Sequence, residues 1–341
     1  YLIEVLHEVL NAFLACGATM GSFSEVITPV LNRNLIFVHG KGGVGKTAFS
    51  HALALRLADQ GKRTLWTTFE DPTRPSGEIL KKAACLWELN CDFTKAFEEY
   101  ASMKIGIPAL TRIFLKNKLM RYMSQAAPGI HELVLLGKVW FEREHYDHIV
   151  VDMPSTGYGL AMFQSTENFV KLFHGGPLNK DAEAMLETFR APETTAHLVI
   201  ALPEEMPLRE SLELGDYLKK LFPKNPVWYF VNRLFPAPDL KAPAGSLRSD
   251  SPGGSPGSPG SNDRSIPETP NDWPNPIATS AEDYARKRHL LENYNLRLWR
   301  DAGISFGKLG FAPVAGNLSP QASFDKLVQN LANQLRIQSY L

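Results

Sequence analysis

The residues with the most specific chemistry lie in one run, Gly40-Lys41-Gly42-Gly43-Val44-Gly45-Lys46-Thr47. Its spacing is G-x-x-x-x-G-K-[ST], which forms a phosphate-binding loop when a strand precedes it and a helix follows. Here the apolar run Leu35-Ile36-Phe37-Val38 comes before it, and Ala48 to Leu57 reads as a helix after it. Glycines let successive backbone N–H groups turn inward on phosphate oxygens, and the helix N-terminus adds the positive end of its dipole. Lys46 is placed to reach the β and γ phosphates, and Thr47 to give its hydroxyl to Mg2+. The expected ligand is a nucleoside triphosphate with its magnesium ion. A second lysine, Lys41, directly follows the first glycine. It starts too near the phosphates to be an ordinary surface charge, although Lys46 already fills the lysine role of the loop.

Two carboxylates follow strand-like runs. Thr64 to Phe69 is short and β-rich, and it ends at Glu70-Asp71-Pro72. That places Asp71 at the C-terminal edge of a sheet, where α/β folds bind ligands, and Pro72 keeps it out of helical conformation. Asp71 reads as the group that orients the attacking water or acts as its base; capping a following helix is the alternative. Tyr146 to Asp152 is a second such strand, and an acid after it is expected in the Mg2+ shell. Met153-Pro154-Ser155-Thr156-Gly157-Tyr158-Gly159 then reads as a glycine-hinged loop, with Pro154, Thr156 and Gly157 suited to sensing the γ phosphate. Asn232 ends the run Val227 to Val231, and its amide can both donate to and accept from an adenine edge.

The scaffold that would position these groups is an α/β phosphate-loop NTPase: a mostly parallel sheet flanked by helices, with an inserted helical lobe. Residues 1–33 form an N-terminal amphipathic helix, with Leu2, Leu6, Val9 and Phe13 on one stripe, and a lead-in. Residues 34–341 form a single domain. Its helical insertion spans about 78–145, and a Pro/Ser/Gly-rich stretch at about 236–280 reads as a disordered surface loop. The insertion is rich in Met and aromatics, including Phe93, Phe97, Tyr100, Met103, Phe114, Met120 and Met123. Core packing is the first reading, and an adaptable apolar groove the second. Later strands are expected at Leu198 to Leu202, Val227 to Val231 and around Leu309 to Phe311, with helices over Tyr284 to Leu298 and Phe324 to Leu335.

Composition narrows the function classes. Lys plus Arg and Asp plus Glu both total 36, so no net charge directs the chain to nucleic acid. Cys16, Cys85 and Cys91 form no C-x-x-C pair, which argues against a disulfide framework and a zinc or iron–sulfur site of that type. With ATP chemistry, this points to the reducing cytoplasm. No run approaches the ~18–20 apolar residues of a spanning helix, so stable membrane insertion is not expected.

Lys41 resembles the signature lysine of the deviant phosphate loops of the nitrogenase iron protein, MinD/ParA and arsenite-pump groups. With the other landmarks the chain resembles the arsenite-pump ATPase family, which includes the GET-pathway ATPase that targets tail-anchored membrane proteins. Gly40 to Thr47 matches the family loop G-K-G-G-V-G-K-T, and Asp71-Pro72 sits where the family has its switch I D-P. Asp152 to Gly159 resembles the switch II pattern D-x-P-x-T-G-H-G of bacterial members, and Asn232 matches an adenine-contacting asparagine. The resemblance runs from about Leu35 to the C-terminus, apart from the Pro/Ser/Gly-rich stretch. It implies a catalytic role for Asp71 and a Lys41 that crosses a dimer interface to the partner's nucleotide. Tyr158 stands in place of the switch II histidine, the zinc-binding C-x-x-C pair is absent, and the cysteines are poorly placed for arsenite.

These readings lead to a dimeric Mg-ATP-hydrolysing switch that couples its cycle to handling of a membrane-protein client. One ATPase half per chain implies a homodimer, or a heterodimer with a paralogue, in the cytoplasm and peripherally at the membrane. The alternatives are the energising subunit of an anion efflux pump and a MinD/ParA-like positioning switch.

Overall fold

Every side chain of strand β1 (Leu35–His39) is buried, as expected of a central strand covered on both faces. In this computed structural model, residues 29–105, 129–172, 175–235, 281–310 and 320–338 are described. The remaining strands are β2 (Thr64–Phe69), β3 (Ile79–Lys81), β4 (Leu86–Cys91), β5 (His148–Asp152), β6 (Thr195–Ala201), β7 (Val227–Leu234) and β8 (Phe306–Gly310). They form one 8-stranded sheet in the order β3-β4-β2-β5-β1-β6-β7-β8. All neighbours are parallel except β3 and β4.

The helices are α1 (Lys46–Asp59), α2 (Phe93–Ile105), α3 (Ile130–Glu142), α4 (Thr156–Leu172), α5 (Pro177–Arg190), α6 (Glu205–Leu221), α7 (Ala281–Asn295), α8 (Arg297–Asp301) and α9 (Pro320–Gln338). Alternation along the strands divides the core by face. Ile36, Val38, Trp66, Val150, Leu198 and Phe230 pack with α1 and α9. Leu35, Phe37, Leu65, Val151, Val199 and Val231 pack with α3 to α6 and α8. On that second face Phe163 of α4 meets Phe37 at 5.2 Å and Phe222 at 5.0 Å between ring centroids, both edge-on. Such aromatic pairs add to area burial, and here they seat α4 directly beneath β1. β1 is also where the sheet order reverses, so a crevice opens at its C-terminal end.

The structure corrects three expectations. Residues 79–91 are not helical: β3 and β4 extend the sheet there, and helix begins at Phe93. Glu88 and Asn90 hid β4, because a buried acid and amide break the apolar signal of a strand. Their partners, Arg74 and Lys82 for Glu88 and the Asp71 backbone for Asn90, come from elsewhere in the chain. Gly157 and Gly159 do not lie in a loop but in the first turn of α4, which starts at Thr156. β7 runs past Asn232 to Leu234, with a register irregularity between Val231 and Leu234.

The expected N-terminal helix falls largely within residues 1–28, outside the described residues. So do the stretch 236–280, Cys16, and Phe114, Met120 and Met123 of the lobe. Among the described residues, no helix is long and apolar enough to cross a membrane.

Candidate active site

The glycine loop joins β1 to α1, and two of its glycines have no space for a side chain. Gly40 has φ +148°, and a Cβ there would lie 2.4 Å from the Ile200 carbonyl oxygen. Gly45 has φ +92°, and its Cβ would lie 2.5 Å from Asn232 Nδ2. Gly45 is the N-cap of α1, which has no side-chain cap and no acidic residue in its first turn. Its first N–H groups are thus left to an anion, which the helix dipole favours. Asn232 is buried and donates Nδ2 to the Val44 carbonyl at 2.9 Å, bracing the loop from β7. Its Oδ1 accepts from Arg233 N, and Arg233 has φ +61°. Beneath the loop, His39 lies 3.1 Å from His197, and burial drives both pKa values down, His197 to about 3. The floor of the site therefore carries no charge at neutral pH.

Lys46, Thr47 and Asp152 converge beside the loop. Lys46 Nζ donates to the Lys41 carbonyl at 3.0 Å. Burial pulls this ammonium below its ordinary pKa, and the Asp152 charge opposes the shift. Burial likewise pushes Asp152 up to about 6, against the Thr47 hydrogen bond and the Lys46 charge. Asp152 Oδ1 is buried and has no hydrogen-bond partner among the described residues. A hydroxyl and an unsatisfied carboxylate oxygen are hard donors of the kind Mg2+ takes. No cluster of three or more His, Cys, Asp or Glu ligands occurs among the described residues. A magnesium ion here would therefore rely on Thr47, Asp152, and phosphate and water oxygens.

Asp71 follows β2 after Glu70, which has φ +47°. Left-handed backbone in a non-glycine residue stores strain, and such strain clusters at functional sites. Asp71 Oδ1 accepts from Thr73 N at 2.9 Å and Thr73 Oγ1 at 2.6 Å, and Oδ2 accepts from Arg74 Nε at 3.0 Å. Partial burial raises its pKa, but the Thr73 hydrogen bonds and the Arg74 charge more than offset this and hold it below the usual range. Asn90 clamps the Asp71 backbone on both sides, accepting from its N–H at 2.9 Å and donating to its carbonyl at 2.8 Å. The carboxylate caps a tight turn rather than a helix.

On the outer side, Lys41 is exposed and pairs with Glu210 of α6 at 2.6 Å. Lys41, Thr156, Gly157, Glu210 and Tyr217 line an open cleft of about 420 Å3. The segment that follows β5 is tied to the sheet where Met153 N donates to the Val38 carbonyl at 3.1 Å, and Pro154 follows. Glu70 also reaches the helical lobe, with Oε2 3.1 Å from His131 Nε2 on α3. Between α2, α3 and α5 lies a cavity of about 220 Å3, lined by Tyr100, Met103, Leu133, Trp140, Phe141 and Met185 among others. Ion pairs Lys104–Asp181 at 2.7 Å and Lys138–Glu99 at 2.5 Å stand beside it.

Sequence reasoning brought Lys46, Thr47, Asp71 and Asp152 to this place but missed Arg74, Glu88, Asn90, His131 and Glu210. A signal existed for Glu88 and Asn90: polar residues interleaved with Leu86, Leu89 and Cys91 needed buried partners.

Residues 33–175 match a protein family described as anion-transporting ATPase. ATPase BagA of Mycobacterium tuberculosis is 31% identical over 245 residues, spanning 64% of this chain and 71% of the relative. Putative arsenical pump-driving ATPase 2 of Aquifex aeolicus is 24% identical over 247 residues, spanning 56% and 81%. ATPase GET3B of Arabidopsis thaliana is 26% identical over 266 residues, spanning 59% and 64%.

Proposed function

The chain belongs to the anion-transporting ATPase family, and we propose on that footing that it is a Mg2+-dependent ATP hydrolase, working as a dimeric switch on a membrane-protein client. The hydrolase reading is carried by one observation: the unsatisfied Asp152 oxygen beside Thr47, at the mouth of an uncapped α1. Bound magnesium would neutralise charge on the β and γ phosphates. The loop N–H groups and Lys46 bind the phosphates, with Lys46 exchanging the Lys41 carbonyl for phosphate oxygens. Asp71 orients a water in line with the γ phosphorus. Its lowered pKa suits alignment more than early proton removal, and phosphoryl transfer asks chiefly for positioning and charge neutralisation. Asn232 braces the loop with one amide hydrogen and has a second to give to the adenine edge. Pro154, Thr156 and Gly157 sense the γ phosphate, and Lys41 leaves Glu210 to reach the nucleotide of a second protomer, identical or paralogous.

The client role is supported by the apolar cavity of the lobe and by the Glu70–His131 contact, which joins that lobe to the catalytic edge. We place the protein in the cytoplasm and, when loaded, at the membrane surface. A second reading, the driving subunit of an anion pump, is favoured by the pump-driving name of the Aquifex aeolicus relative. Against it, Cys91 is buried and its thiol is pushed far up by that burial, a poor start for a thiolate site.

Mass spectrometry of proteins that co-purify from membranes with Asp71→Asn, against Lys46→Ala, separates the readings. Enrichment of proteins with single hydrophobic tails or spans supports the client role. One polytopic partner supports the pump, and recovery of a paralogue alone removes the client.

A further inference from the structure

Arg74 closes the Asp71 turn, and its guanidinium has defined neighbours on three sides. Nε donates to Asp71 Oδ2 at 3.0 Å, and Nη1 donates to Glu88 Oε1 at 2.6 Å. Its flat face lies 4.5 Å from the centre of the Trp66 ring. Each of these anchors is itself held. Trp66 is buried, and its Nε1 donates to Ser50 Oγ of α1 at 2.9 Å. Glu88 takes a second cation, Lys82, on Oε2 at 2.9 Å. Trp66 and Glu88 are register partners on β2 and β4, so the platform under Arg74 is the sheet itself.

Asn90 fixes only the backbone of Asp71, and an aspartate's terminal torsion is a broad, two-fold rotor. The orientation of the carboxylate plane must therefore be set by groups that meet its oxygens. Thr73 holds Oδ1 from within the same turn, whereas Arg74 ties Oδ2 to the sheet. We infer that Arg74 is a positioning residue for hydrolysis: anchored on Glu88 and Trp66, it locks the Asp71 carboxylate in the orientation that aligns water. This rests on the reading of Asp71 as the water-orienting group. Lysine is no substitute, because a point charge on a flexible stem neither stacks on Trp66 nor presents Nε and Nη donors at a fixed angle to two carboxylates.

The test compares Arg74→Gln, Arg74→Lys, Glu88→Gln and the Arg74→Gln/Glu88→Gln pair, measuring single-turnover hydrolysis, ATP affinity by calorimetry and Tm. Arg74→Gln is expected to slow hydrolysis about tenfold or more, since small misplacements of a reacting group are costly. ATP affinity should stay within about threefold, the signature of a contact that acts in the transition state. Arg74→Lys should recover only part of the rate. The double variant should be no slower than Arg74→Gln, because both changes remove one anchor. Wild-type hydrolysis in Arg74→Lys would overturn the inference. So would a loss in Arg74→Gln that merely tracks ATP affinity and folded fraction. If Arg74→Gln does not fold, Arg74→Lys and Glu88→Gln decide by the same criteria. Asp71→Asn is the control: normal turnover there removes the underlying reading, whereas lost turnover there with normal rates in the Arg74 variants removes Arg74 alone.

Discussion

Lys41 Nζ lies 2.6 Å from Glu210 Oε1, joining the phosphate loop to α6 across 169 residues of sequence. The pair is about half exposed on the lysine side, and such pairs hold typically 0.2–1 kcal/mol, up to about fivefold in an equilibrium. If Lys41 must leave Glu210 to reach a second protomer, Glu210→Gln should favour ATP-dependent self-association by up to about fivefold for each protomer. Sedimentation in an Asp71→Asn background reads this directly, and unchanged association would show that Glu210 does not restrain the lysine. Lys41→Ala should lose turnover while ATP binding persists; wild-type turnover would refute its crossing role.

Asp71→Asn keeps the shape of the turn but removes the charge that Thr73 and Arg74 hold in place. ATP affinity should change little, and turnover should fall by about 10²-fold or more, the cost of misplacing a reacting group. Calorimetry with a non-hydrolysable analogue and a phosphate-release assay separate the two quantities. Equal losses in both would mean that Asp71 binds ATP rather than aligning water.

Asp152 gives a pH dependence with a defined sign. Its folded pKa of about 6 stands above the ordinary 3.8, so the folded state holds the proton more tightly than the unfolded chain. Its contribution is therefore most favourable at low pH and is lost as pH rises through the interval between those values. The difference amounts to roughly 2–3 kcal/mol at neutral pH. Asp152→Asn should raise the Tm of the nucleotide-free protein at neutral pH while weakening Mg2+ binding and lowering turnover. In the unsubstituted protein, Mg2+ binding should weaken below about pH 6 and release the proton this carboxylate then carries, which calorimetry in buffers of different ionisation enthalpy detects.

Gly45→Ala meets two obstacles, a φ of +92° and a Cβ contact of 2.5 Å with Asn232 Nδ2. Loss of ATP binding with destabilisation of about 1–3 kcal/mol is expected from denaturant unfolding. Asn232→Ala relieves the clash but leaves the Val44 carbonyl without its donor, costing about 1–3 kcal/mol if no water replaces it. A Gly45→Ala/Asn232→Ala pair less damaged than the sum of the two changes would confirm that they share one contact.

The strands that position this chemistry were legible because parallel strands buried on both faces leave nearly continuous apolar runs, as in Leu35 to Val38 and His148 to Val151. The loop, Asp71 and Asp152 then followed from where those runs end. β4 was not legible, because Glu88 and Asn90 are tolerated only by virtue of Arg74 and the Asp71 backbone, and such pairing is invisible to local periodicity. The start of α4 was obscured by glycine. Gly159 sits inside the helix where a Cβ would lie 3.0 Å from the Pro154 carbonyl oxygen, a close approach that favours glycine there. Glu210 was unreadable for a simpler cause: nothing around it on an amphipathic helix marks one of several acids as facing Lys41.

Helix α3 carries His131 against Glu70 at one end, while Gly137, Trp140 and Phe141 further along stand on the wall of the lobe cavity. At 1.5 Å per residue it is a rod about 20 Å long, short enough to move as a single body. Free-energy linkage then makes the traffic two-way: a ligand that grips the wall more tightly when nucleotide binding shifts the Glu70 edge must raise the affinity for nucleotide by the same factor. A client held there would be an allosteric effector of ATP as much as its cargo.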